Sequence, residues 1–221
     1  NPGTIFRARA GDGQAQPFIV PDAANGLATV FGVLVDDARG LLWVCSNPAM
    51  GSGGSPAIKS FTLAGGRLAA SYPLAVEGPA MCNDMTIDAG GDVYASETLG
   101  GRILKLADGG AAFTEWARDA EFASADGIVW GGDGQLYMNA IQRNNLVRAN
   151  RDASGAFTSA TVLTPSRPMG GPDGGDGCGR AHAQRDHLRP RRDGSRRDLG
   201  DPGAGGAHLR PRRRLVRLLL R

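Results

Sequence analysis

Asn83, Asp126 and Asp173 carry side-chain oxygens and lie 43 and 47 residues apart in one aligned column, and the first two open short runs of alternating apolar residues. Phe31 stands in the same column one copy earlier. Residues that begin equivalent strands converge when those strands line a common axis. The column therefore predicts one pocket holding a carboxamide and two carboxylates. These are hard donors, suited to Ca2+ first, with Mg2+, Mn2+ and Zn2+ also admissible. Asn and Asp also start turns by bonding their own backbone, so each of the three has a structural alternative.

The elements that must position them are written in an internal repeat. Phe31 to Val44, Asn83 to Ala95 and Asp126 to Met138 each alternate apolar residues over about four positions. Each then breaks at an Asp/Gly turn and resumes alternation around an aromatic, the pattern of a β-hairpin. Two copies extend into further strands, Arg102 to Leu106 and Asn145 to Ala149, each followed by a turn and another apolar run. The aromatic anchors Trp43, Tyr94 and Tyr137 are 51 and 43 apart. Four strands in about 40–50 residues is the period of a propeller blade. The fold class expected is therefore all-β, a β-propeller of the six-bladed type, incomplete here, with about three full blades within 30–165 and a partial blade at each end. Asp36, Asp88 and Asp133 fall at the hairpin turns and read as structural; Trp43, Tyr94 and Tyr137 read as core anchors.

Composition divides the chain in two. Its 34 glycines among 221 residues favour many tight turns over a helical bundle, and no apolar run approaches the ~18 residues of a spanning helix. Up to Gly175 the net charge is −5 and every aromatic is present; from Asp176 onward 13 Arg face five Asp, a net of +8, with no aromatic at all. The domain reading is a partial propeller over 1–175 and an Arg-rich tail over 176–221, disordered or out of frame, since such a composition buries too little apolar surface to order itself. Arg, Gly, Pro, Ala, Asp and His are what GC-rich coding sequence yields in a shifted frame. An Arg run with no interleaved aromatic argues against nucleic acid as a partner, and nothing indicates a membrane. Cys45, Cys82 and Cys178 are too few and too scattered for a disulfide framework. Cys178, His182 and His187 fit no standard zinc spacing. Compartment, cytoplasmic or periplasmic, and oligomeric state stay open.

The stretch from Asn83 to Leu104 resembles the SMP-30/gluconolactonase/LRE-like group of six-bladed propellers. Asp126-Gly127-Ile128 and Pro172-Asp173-Gly174 look like the openings of that group's next two blades. The resemblance implies a metal-dependent hydrolase of lactones or related esters, with a small lactone or ester as its partner. By position, Asp126 and Asp173 are metal ligands and Asn83 is a ligand or substrate contact. The implied chemistry is metal-assisted acyl transfer to water, in which Asp173 is the catalytic carboxylate that takes a proton from the attacking water. Two residues before the Asn-Asp pair, where sugar-lactonase members carry an arginine, this chain has Met81. The group's first-blade glutamate has no counterpart after Asn1, so the 221-residue chain is expected to be inactive. NHL-type binding propellers and strictosidine-synthase-like enzymes share the blade pattern and remain alternatives.

Overall fold

The computed structural model describes residues 3–9, 11–143 and 145–163, and the backbone of 216–220. The repeat folds as it reads. The strands β3 (Thr29–Asp36), β4 (Leu41–Asn47), β5 (Ala57–Thr62) and β6 (Leu68–Pro73) form one antiparallel four-stranded sheet in sequence order. β7 (Cys82–Ile87), β8 (Val93–Glu97), β9 (Arg102–Leu106) and β10 (Thr114–Arg118) form a second; β11 (Ala125–Trp130), β12 (Leu136–Ala140), β13 (Asn145–Arg151) and β14 (Phe157–Leu163) form a third. These are the three full blades expected within 30–165. Ahead of them, β1 (Ile5–Arg9) and β2 (Gln16–Ile19) make the partial blade.

A third strand joins that partial blade. β15 (Val216–Leu220) pairs antiparallel with β1, Ile5 opposite Leu220 and Arg9 opposite Val216. This stretch belongs to the segment expected to be disordered or out of frame. Composition averaged over 46 residues conceals the run from Val216 to Leu220, which has one charged residue in five and meets an open strand edge.

Alternation buries one face of each sheet against the next, so the cores lie between sheets. Ile5, Ile19, Leu42, Val44 and Phe61 fill the space between the partial blade and the first full one. Trp43, Ile58, Met85, Val93 and Leu104 fill the next interface. Tyr94, Ile103, Ile128, Met138 and Val147 fill the third. The innermost strands β3, β7 and β11 are neighbours across these interfaces.

The turn aspartates act alike in all three blades. Asp36 accepts the amide of Arg39 (3.1 Å) and the indole N–H of Trp43 (3.3 Å). Asp88 accepts the amides of Gly90 and Asp92 (2.9 and 3.0 Å) and the hydroxyl of Tyr94 (3.4 Å). Asp133 accepts the amide of Gln135 (3.1 Å) and the hydroxyl of Tyr137 (2.6 Å). Each carboxylate thus closes a tight turn and satisfies the polar end of its blade's anchor ring. The Tyr137 hydroxyl holds the Asp133 carboxyl below its usual range. Trp43 and Tyr94 are core residues, whereas Tyr137, on the last blade described, is half-buried.

Gly32 marks the closest approach of β3 to β7. A Cβ there would stand 2.4 Å from the carbonyl oxygen of Asn83 and 2.8 Å from the Cα of Asp84. Both are backbone atoms and cannot swing aside. Gly32→Ala is expected to lower stability by about 1–3 kcal/mol, read as a shift in the urea midpoint. Gly65→Ala, where a Cβ meets nothing within 4 Å, should leave the midpoint nearly in place.

Candidate functional site

The site grows from one backbone irregularity repeated three times. In each innermost strand two residues face a single residue of the neighbouring strand. Phe31 and Gly32 lie opposite Cys45, Asn83 and Asp84 opposite Ser96, and Asp126 and Gly127 opposite Asn139. A bulge of this kind releases its residues from the ladder and re-aims their side chains. The column of Phe31, Asn83 and Asp126 is therefore real in the structure, and its members are the leading residues of equivalent bulges.

Both described site residues are held from one side. Asn83 donates through Nδ2 to Thr98 Oγ1 (3.2 Å), and Thr98 Oγ1 in turn donates to the carbonyl of Ala125 (2.6 Å), the residue before Asp126. Asp126 Oδ2 accepts from Asn139 Nδ2 (3.3 Å). The Ser96 hydroxyl donates to the carbonyl of Asp126 across the blade interface and accepts the amide of Asp84 (3.1 Å). With Nδ2 of Asn83 and Oδ2 of Asp126 engaged, Oδ1 of each is the oxygen left for a ligand. Asp173 lies outside the described residues. Among the described residues no group of three or more His, Cys, Asp or Glu side chains is placed to hold a metal. By chemistry Asn83 and Asp126 are hard oxygen donors of the kind a divalent cation takes, and two of them are short of a full shell.

Three residues not singled out from the sequence support this end of the blades. Asp84 Oδ2 accepts the amide of Ile128 (3.2 Å) and ties the second blade's bulge to the third. Asn47 exchanges two hydrogen bonds with the backbone of Cys82 (2.8 and 3.0 Å), and Cys45 is disulfide-bonded to Cys82 with Cα atoms 5.4 Å apart, within the range disulfides adopt. The cysteines that read as too few and too scattered for a disulfide framework thus include one bridge between blades. Glu97 is fully buried. It accepts the amides of Met81 (3.0 Å), Leu99 and Gly100 (both 2.9 Å) and pairs with Arg102 Nε at 2.8 Å, so it fixes both the entry to β7 and the loop after β8. The signal for it was present in the resemblance segment, an acid and an arginine five residues apart around a double glycine.

A groove of about 430 Å3 opens beside Thr98, lined also by Leu99, Arg118, Asp119, Ser124 and Gln142. Arg118 pairs with Glu115 at 2.7 Å, and that hydrogen bond holds the Glu115 carboxyl below its ordinary range.

No family model matches the chain, and no curated protein matches it. Solved structures do. Selenomethionine-substituted virginiamycin B lyase from Staphylococcus aureus aligns over 75% of this chain and 46% of its own, at 17% identity and a TM-score of 0.50. A nidogen/laminin complex aligns over 75% of this chain and 62% of its own, at 16% identity and a TM-score of 0.52. The extracellular domain of BT4673 from B. thetaiotaomicron aligns over 76% of this chain and 22% of its own, at 16% identity and a TM-score of 0.54. This chain thus spans less than two thirds of each of them. At such identity the likeness shows the fold alone, a β-propeller and nothing narrower. It does not single out the SMP-30-like group.

Proposed function

We propose that the protein containing this propeller is a metal-dependent hydrolase of lactones or related esters, acting at the end of the blades where Asn83 and Asp126 stand. One observation carries the reading: an amide and a carboxylate occupy the same bulge position on adjacent innermost strands, each anchored through one atom with one oxygen to spare. Asn83, Asp126 and, beyond the described residues, Asp173 would hold a divalent cation, Ca2+ by donor type, with Zn2+, Mn2+ or Mg2+ as alternatives. Such a cation supplies Lewis acidity toward an ester carbonyl. The chain's own part is positioning. Thr98 fixes the amide of Asn83 so that Oδ1 faces the ligand, and Asn139 does the same for Asp126. Asp173 is assigned the proton from water.

The test is a Ca2+ titration of the 221-residue chain followed by calorimetry. Weak binding, in the ~0.1–1 mM range of low-charge sites, is expected. Asp126→Ala should weaken it at least tenfold, whereas Asp88→Ala, at a hairpin turn, should not. Equal affinity in the Asp126→Ala chain would sink the reading. A second reading, a non-catalytic NHL-type binding propeller, draws support from the exposed Val20, Phe31, Met50 and Leu99, and it expects no metal dependence.

A further inference from the structure

Phe31 is the odd member of the column. Its counterparts Asn83 and Asp126 are polar, yet all three lead the same two-for-one bulge. The bulges of β3 and β7 touch through Gly32 and the Asn83 backbone, so the bulge that Phe31 leads is packed against the bulge that Asn83 leads. Phe31 is 37% exposed, whereas Trp43 and Phe61 on the same blade are 3% and 0% exposed and Tyr72 is partly buried. An aromatic ring left in water at such a bulge offers apolar contact to whatever is bound there.

The surroundings agree. In an up-and-down blade the start of the innermost strand, the second-to-third connection and the exit of the outer strand share one end. Val20 follows β2, Met50 lies between β4 and β5, and Leu99 lies between β8 and β9, so all three belong to the end that carries Phe31. They are 56%, 98% and 59% exposed. Met81 leads into Asn83 on the same side. Two cations at this end already hold carboxylates: Arg118 pairs with Glu115 at 2.7 Å and Arg143 with Glu121 at 2.9 Å. An anionic lactone would have to displace those carboxylates, while an alkyl chain would find several apolar residues.

We propose that Phe31 is a specificity-determining residue and that the substrate class is a cyclic ester bearing an alkyl substituent, its carbonyl toward Asn83 and Asp126 and its chain against Phe31. The inference rests on the hydrolase reading above and deepens it.

The experiment measures binding of δ-decalactone and glucono-δ-lactone to the 221-residue chain with Ca2+ present, by saturation-transfer NMR. The expected result is tighter binding of δ-decalactone, weakened about tenfold by Phe31→Ala through lost apolar contact and retained in Phe31→Leu. Circular dichroism confirms that each variant keeps the strand signal. If Asp126→Ala abolishes δ-decalactone binding while Phe31→Ala leaves it unchanged, the role of Phe31 is overturned and the hydrolase reading stands. Tighter binding of glucono-δ-lactone by the unaltered chain overturns the substrate class alone. If neither lactone binds, or Asp126→Ala affects neither, the hydrolase reading falls and the proposal with it.

Discussion

Cys45→Ser or Cys82→Ser should lower the unfolding free energy by about 4 kcal/mol, the loop-closure value for a bridge across some 37 residues. The two cysteines are 37 apart in sequence, both fully buried, and lie on β4 and β7, strands of different blades. Opening the bridge frees the loop that carries β5, β6 and the entry to β7 in the unfolded chain. It also leaves the interface between the first two full blades to side-chain packing, the Asn47–Cys82 hydrogen bonds and the Arg39–Asp108 ion pair at 2.7 Å. Urea unfolding with and without dithiothreitol is the check. The unaltered chain should lose stability on reduction, and the serine variants should be indifferent to reductant. An unaltered chain whose midpoint ignores the reductant would show that the bridge contributes nothing. Disulfides persist in oxidising compartments, so in a reducing one the blade pair would run without its staple.

Glu97→Ala is the second large effect, at about 3–5 kcal/mol. It takes from the Arg102 guanidinium, whose side chain is 4% exposed, its close carboxylate and leaves it only Glu115 at 3.9 Å and the carbonyl of Glu77 at 3.1 Å. It also removes the acceptor of three partly buried hydrogen bonds from backbone amides. Glu97→Gln keeps an acceptor for the amides and should fall between Ala and the unaltered residue. The diagnostic measurement is a double-mutant cycle. Glu97→Ala with Arg102→Ala should cost less than the two single changes added together, because the second change removes the charge that the first leaves without its close partner. Strict additivity would mean that the 2.8 Å pair carries no coupling.

What could be read from the sequence is what is local or periodic. The hairpins, their turn aspartates and the aromatic anchors lie within a dozen residues of each other, so alternation and turn chemistry suffice to find them. The repeat period then places Asn83 and Asp126 in one column without any knowledge of contacts. The bulge itself was not legible. Whether two residues face one depends on the partner strand's register, and Ser96 and Asn139 reveal that only once paired. Cys45 and Cys82 meet because two blades stack, and no spacing rule connects residues across a blade interface. Glu97 is anchored by the same packing: a surface hairpin could carry an identical acid and arginine as a solvated pair. The run ending in Leu220 escaped notice because its neighbours dominate the average. The SMP-30-like resemblance rested on a motif order whose third member, Asp173, lies beyond the described residues.

The three bulges have a consequence for how such a protein changes over generations. Residues released from the ladder carry no pairing duty, so a new side chain there leaves the strand's hydrogen bonds untouched. In this chain an aromatic ring, an amide and a carboxylate already occupy that one position on three nearly interchangeable backbones. Selection can therefore rewrite the rim one letter at a time while the stacked sheets beneath stay fixed. Duplication of a blade also delivers a fresh, unassigned letter together with the scaffold that displays it. The trailing position of each bulge is less free, since Gly32 abuts the Asn83 backbone and Asp84 ties one blade to the next. Variation within such a lineage should accordingly concentrate on the leading residue and spare the one behind it.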